Sequence, residues 1–313
     1  MFKIIGKTNF DFIGLRKFSF ILSTILIVLG LIALVNIMIG NANMGIDFTG
    51  GTMIQGNFEK PINIEDLRST LAAGGFPEAN IQALQTKGVP NSFLIRAKTL
   101  SDHTTPGAET TNDKIIALIA GESKFSKNPF HKDSEQMIGA LVGEELRTDA
   151  RNAVLLAIVG ILVYIWIRFD LRFGVAATVA TFHDVLTVLG IFWVLDIEIN
   201  QLVITALLTL GGYSLTDSVV VFDRIRENLK LFRKKGDFVA TLNASINEVL
   251  SRTIITSMTS LLVVVVILLF GGQVLFTFAL ALTLGIIVGT YSSVFVASPI
   301  VAEWEARYPK RFK

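Results

Sequence analysis

The sequence predicts an α-helical membrane protein with six transmembrane helices and one external α+β domain between the first and second helices. Three observations predict this. Of 313 residues, 51% are hydrophobic and only 17% are charged, where a soluble domain carries about 25% charged residues. Six apolar segments, at about 18–39, 150–168, 173–195, 201–222, 254–270 and 275–299, have lengths near the ~20 residues that cross a bilayer as a helix. One polar stretch, about 40–148, separates the first two segments and is long enough to bury a small core. The organisation expected is an N-terminal segment 1–17, a first span 18–39, the external domain 40–148, a five-helix region 149–300 with a polar loop 223–252, and a tail 301–313.

At the N-terminus, Lys3, Lys7, Arg16 and Lys17 precede the apolar stretch Phe18 to Ile39. That stretch exceeds the 7–15 apolar residues of a cleaved signal, and no small-residue cleavage site follows, so it reads as a retained span. The external stretch then has a readable rhythm. Gly51 to Phe58 alternates like a strand. Asn63 to Gly74 reads as a helix capped by Asn63, with Asp66 at the capping-box offset. Ile81 to Gln85 and Ser92 to Ala97 read as strands joined by a turn at Gly88-Val-Pro90-Asn91. Ser101 to Thr111 reads as a polar loop, Asn112 to Ala120 as a second helix, and Gln136 to Val142 as a last strand. The order β-α-β-β-α-β is the ferredoxin-like arrangement.

Lys and Arg in short loops set orientation. The N-terminus, the link with Arg168 and Arg172, the loop with Arg224, Arg226, Lys230, Arg233, Lys234, Lys235 and Arg252, and the tail with Arg307, Lys310, Arg311 and Lys313 are basic. The alternate links, Asp196-Ile-Glu198 and Gly271-Gly-Gln273, carry no Lys or Arg. Six spans put every basic end on one side, which is the cytoplasm, and leave the polar domain outside. The segment from Phe222 to Lys235 is basic, with Phe222, Ile225, Leu229 and Phe232 on one face, and reads as an amphipathic helix resting on membrane lipid.

Chemistry concentrates in a few polar residues within the spans. Asp217 lies inside the apolar run Gln201 to Phe222, where a charged side chain costs about 2.5–3.5 kcal/mol on insertion scales. It is the first candidate for coupling to an ion gradient, against the alternative of a structural Asp bonded to a neighbouring helix. Thr205, Thr209, Gly212, Tyr213 and Thr216 fall on a stripe with it. The fifth span opens with a second stripe, Arg252, Thr256, Thr259 and Ser260. Arg252 is a candidate counter-charge for Asp217 or an interfacial cation. His183 and Asp184, in the third span, are candidates for proton relay or for a structural role. Ala281, Gly285, Gly289, Ser293 and Ala297 recur every fourth residue, a seam for close helix packing whose partner the pattern leaves open. Gly45-Ile-Asp47-Phe-Thr-Gly50-Gly51 has no phosphate-binding context, since no helix is expected there, and its glycines suit tight turns.

Several classes are excluded. A net charge of +2 gives no argument for nucleic acid. The absence of Cys removes disulfides and thiolate metal sites, and three His residues speak against a His-rich metal site. No nucleophile–base set or Walker sequence is visible, so no enzyme activity is expected. No cofactor is expected beyond protons as the coupling ion.

The residues Gly45 to Gly51, the run Gly212-Tyr-Ser-Leu-Thr-Asp217-Ser-Val-Val-Val-Phe-Asp223-Arg224-Ile-Arg226-Glu227-Asn228, the run Ser251-Arg-Thr-Ile-Ile-Thr-Ser257, Phe270-Gly-Gly272 and the His183-Asp184 pair resemble the SecF family. SecF is the smaller membrane subunit of the bacterial SecD–SecF pair, in the resistance-nodulation-division superfamily. The resemblance implies an inner-membrane subunit with cytoplasmic termini, partnered by SecD, that acts beside the SecYEG channel. It would use the proton-motive force to help draw a translocating preprotein outward. It also implies that Asp217 and Arg252 are proton-pathway residues, and that six spans form half of a twelve-span core. The rival readings are a half-size proton-coupled efflux transporter, which would need a larger external domain, and a non-transporting membrane scaffold.

Overall fold

Alternating apolar residues make the external sheet, and long apolar runs make the bundle. The computed structural model describes residues 8–86, 89–97, 110–231 and 237–308. Lys3, Lys7, Gly88, most of the polar loop 101–111, Phe232 to Lys235, and Lys310, Arg311 and Lys313 of the tail lie outside the described residues. The chain divides into two units: Met44–Arg151, and Met1–Asn43 with Asn152–Lys313.

The external unit begins with a one-turn helix, α2 (Ile46–Thr49), where the sequence suggested none. Strand β1 (Gly51–Phe58), helix α3 (Ile64–Ala73), strands β2 (Asn80–Thr86) and β3 (Val89–Ala97), helix α4 (Thr111–Gly121) and strand β4 (Phe130–Ile138) follow. The sheet order is β2-β3-β1-β4, all antiparallel, with Ile54 opposite Ile95. This is the ferredoxin-like order. Ile54, Phe58 and Ile95 meet Leu67 and Leu71 of α3 and Ile115 and Ile119 of α4 in one core, each buried side chain contributing about 1.5–3 kcal/mol. Asn63 caps α3 by accepting from Glu65 N at 3.0 Å. Asp66 does not complete a capping box, because its carboxylate instead pairs with Lys124 at 2.9 Å. The complete capping box is at α4, between Thr110 and Asp113.

The last strand starts six residues earlier than the sequence suggested. Most of β4 is exposed on both faces, so it has no apolar alternation to read. It is an edge strand held by backbone pairing to β1, with Phe130 packed on Phe58 (centroids 5.1 Å). Consequently Ala140 to Val142 begin helix α5 (Ala140–Arg168), not a strand. Gly50 and Gly51 both have positive φ, 66° and 130°, which L side chains adopt poorly. Gly50 also lies against the first turn of α5, where a Cβ would come within 3.0 Å of Ala140 Cα.

Six helical segments are long and apolar enough to cross a membrane. Besides α5 these are α1 (Arg16–Met38), α6 (Leu171–Val194), α7 (Gln201–Leu231), α8 (Phe238–Phe270) and α9 (Gly272–Ser292). The last continues through a π-helical segment, Ser293–Ala297, into α10 (Ser298–Arg307). Helix α6 is the most buried of them. Its face of Ala176, Ala177, Ala180 and Gly190 admits close neighbours, and Gly190 crosses Gly30 of α1 so tightly that a Cβ would lie 2.8 Å from Gly30 N. Gly285 and Gly289 of the small-residue seam face Leu210 and Ser214 of α7, so the seam's partner is within the chain.

The stretch 223–252, expected as a loop whose first part is an amphipathic helix on lipid, is helical over 223–231 and 238–252. Helix α7 continues unbroken to Leu231 and α8 begins at Phe238. Phe222 and Ile225 are buried with Leu242 and Ile246 in the main core. The apolar face read as lipid-seeking is thus spent on helix packing, where it meets a complementary face.

Candidate proton-coupling site

The site lies where α6, α7, α8 and the end of α9 meet. His183 and Asp184 have no solvent exposure. His183 Nδ1 is 2.8 Å from Asp184 Oδ1, and with the acid ionised Nδ1 donates. Asp184 Oδ2 accepts from Ser292 Oγ of α9 at 2.7 Å and from Ser214 Oγ of α7. One carboxylate therefore joins three helices and receives three hydrogen bonds. His183 Nε2 is buried without a partner, and the ring lies 6.3 Å from that of Tyr291. Tyr291 OH donates to Ser19 O of α1 at 3.2 Å and lies 3.3 Å from Ser23 Oγ.

Asp217 lies one turn beyond Ser214 on α7 and is 9% exposed. The hydroxyls of Ser293 and of Thr253, on α8, face its carboxyl group, with Asp184 within electrostatic reach. Yet Asp217 Oδ2 and Thr253 Oγ1 are each buried without a hydrogen-bond partner. A buried acceptor in that condition costs roughly 1–3 kcal/mol, and a charged one costs more.

The two threonine stripes lie elsewhere. Thr205, Thr209, Gly212 and Thr216 are exposed, as are Thr256 and Thr259, while Tyr213 and Ser260 are half-buried. Thr209 and Thr216 donate to the carbonyls of Thr205 and Gly212, and Thr256 and Thr259 to those of Arg252 and Ile255, at 2.8–3.0 Å. These hydroxyls satisfy themselves on their own helices, and Asp217 lies one position round, facing inward. Tyr213 packs with Val264, Ala279 and Ile286. The Arg252 side chain is exposed and has no partner among the described residues, so it does not pair with Asp217 in this conformation. Helix α8 presents Thr253, the next residue, to the carboxylate instead.

The charged motif after Asp217 staples helix ends. Asp223 pairs with Arg168 at 2.5 Å, and Arg226 donates to Arg168 O at 3.3 Å. Arg224 pairs with Glu248 at 2.6 Å and Glu227 at 2.7 Å. Asn228 donates to Ser245 and Glu248. Gly45, Asp47, Gly50 and Gly51 belong to the external unit. The sequence reading did not single out Ser214, Thr253 or Ser292 as site residues, and took Ser293 only as part of the packing seam. The signal available was Ser292-Ser293, a hydroxyl pair within an apolar span, and Ser214 one turn before Asp217.

A multi-pass helical membrane protein with buried carboxylates and a ferredoxin-like external unit is the class that this geometry defines. The model of the "Protein export membrane protein SecD/SecF, C-terminal" family matches residues 120–307, and that of the "SecD/SecF GG Motif" matches residues 43–62. The chain is 49% identical to the protein translocase subunit SecF of Thermodesulfovibrio yellowstonii over 96% of both chains. It is 42% identical to that of Desulfurispirillum indicum over 95% of this chain and 92% of the other. It superposes on the crystal structure of SecDF from Thermus thermophilus with a TM-score of 0.81 and 38% identity, covering 96% of this chain and 39% of that longer one. A structure of SecDF in a super-membrane-facing form gives 0.66 at 38% identity, over 98% of this chain and 40% of that one. The chain belongs to the SecF family. Against the solved structures it spans about two-fifths of the longer chain.

Proposed function

We propose that the chain is an accessory subunit of Sec protein translocation that pairs with SecD and uses the proton-motive force to promote movement of preprotein through the SecYEG channel. It would sit in the inner membrane with both termini cytoplasmic and the ferredoxin-like unit outside, as the distribution of Lys and Arg favours. Protons are the coupling ion and no other cofactor is invoked.

The observation that carries this reading is the Asp217 carboxylate, buried among membrane-spanning helices with one oxygen lacking a partner. A carboxylate left so is set up to take a proton. A proton crossing the membrane releases about 2.3 kcal/mol per 100 mV, enough to bias two states of similar energy. The exposed Arg252 of α8 is unsuited to lipid, which supports a second subunit or a hydrated crevice there. The unequal likeness to two SecDF structures fits relatives that occupy more than one arrangement.

The test is preprotein export in membrane vesicles with Asp217→Asn, with and without a proton gradient. Loss of the gradient-driven component, with SecD still co-purifying, is expected. A full gradient response in the variant would sink the reading.

A further inference from the structure

Asp184 has no part in that proton step, although it is buried and its carboxylate takes three hydrogen bonds. Its Oδ2 gathers Ser214 of α7 and Ser292 of α9, while His183 holds Oδ1. Each of those serines is tied to the proton site. Ser214 is three residues before Asp217, hence on the same side of α7. Ser292 is followed directly by Ser293, whose Oγ donates to Thr290 O at 3.2 Å and lies beside Asp217. Ser292 and Ser293 are both fully buried, and the helix widens into its π segment at Ser293, whose carbonyl accepts from Ser298 Oγ at 3.0 Å. Such π turns are local and recur at functional sites.

We propose that Asp184 is a positioning residue for Asp217. By holding Ser214 and Ser292 on one carboxylate oxygen, it sets the rotation of α7 against α9 and so keeps Ser293 opposite Asp217. This rests on Asp217 being the coupling carboxylate. It differs from a relay, because Asp184 passes no proton: its service is geometric, to hold donors from α7 and α9 on one oxygen. The groups around this layer are His183 and Asp184 on α6, Asp217 on α7 and Tyr291 on α9. Helix α8 contributes the Thr253 hydroxyl, with Arg252 exposed beside it, and α1 contributes Ser23. Cutting the tie changes what surrounds Asp217 without touching Asp217 itself.

The experiment measures the pH dependence of gradient-driven export in vesicles, in three variants carried by the full chain with its partner subunit. Asp184→Asn keeps an oxygen for both serines and cannot carry a proton. It is expected to retain at least about half of the gradient-driven rate, with the wild-type pH midpoint. The double variant Ser214→Ala with Ser292→Ala leaves Asp184 in place and cuts the tie. It is expected to move the midpoint by about one pH unit, the scale of one hydrogen bond to a charged group. Asp217→Asn is the control for the underlying reading and is expected to abolish the gradient-driven rate. If Asp184→Asn abolishes that rate while the variant still folds, Asp184 carries a proton and the positioning role is overturned. An unmoved midpoint in the double serine variant overturns it as well. If Asp217→Asn keeps the gradient response, the underlying reading fails instead, and a moved midpoint in the serine variant would then attach Asp184 to some other titrating group. Should Asp184→Asn not fold, the serine variant alone decides.

Discussion

Asp184 and Asp217 are both buried in the same helical bundle, and Ser214, which donates to the first, lies one turn from the second. Asp184 receives hydrogen bonds from His183, Ser214 and Ser292, and Asp217 keeps Oδ2 with none. The difference teaches what each carboxylate can do. A caged carboxylate in a membrane holds helices together, because losing it strands its donors. An uncaged one contributes little to the fold and has a vacant acceptor, which is the condition for taking up a proton.

The largest effect expected from this contrast is on stability. Asp184→Leu strands a histidine and two serines and should cost about 2–4 kcal/mol, whereas Asp217→Leu removes an unsatisfied group and should be neutral or stabilising. Thermal unfolding of the detergent-purified protein measures both, and equal losses would break the contrast. Next is the frame that holds α6. Gly190→Val places a side chain where a Cβ alone already lies 2.8 Å from Gly30 N, and overpacking of this kind costs about 1–3 kcal/mol. Reduced accumulation in the membrane, relieved by no change at Asp217, is the expected result.

A smaller effect sharpens the Asp217 side. Thr253 Oγ1 is buried without a partner, so Thr253→Val should raise stability by up to about 1 kcal/mol and yet slow gradient-driven export. A variant less stable but fully coupled would show that this hydroxyl serves packing alone. The smallest effect is outside the membrane, where a carboxylate is satisfied in water. Two hydrogen bonds from Thr110, side chain and backbone, hold Asp113 below the usual carboxylate range. A lowered folded-state value means that its stabilisation is present above the ordinary carboxylate pKa and is lost as pH falls through the folded value. The protection factors of the amides in the first turn of α4, with the intrinsic pH dependence of exchange divided out, should therefore be unchanged from neutral pH down to about the ordinary value near 4 and fall only below it. Thr110→Ala should raise exchange across the whole range.

Much of this was legible in the sequence. Apolar length marks membrane helices directly, and the period-2 pattern of β1 and the cap at Asn63 mark their elements from nearest neighbours alone. The strand β4 was misplaced because an edge strand exposed on both faces carries no apolar signature. The Phe222 and Ile225 face was assigned to lipid because amphipathicity shows that a helix needs an apolar neighbour but not which neighbour. The Asp217 carboxylate was legible from its place in an apolar run. Its surroundings were not, since Thr253 and Ser293 come from other helices distant in the chain.

The chain by itself determined that it crosses a membrane six times, that a ferredoxin-like unit interrupts the spans, and that Asp184 and Asp217 had to be accounted for. Each follows from local composition and periodicity, which act over one element at a time. Tertiary structure alone decided which carboxylate was caged. Hydrogen-bond satisfaction depends on ångström-scale distances between residues that are up to 108 positions apart, as Asp184 and Ser292 are. Such distances are set by how helices cross and by the π turn after Ser292, features of packing that no single segment encodes.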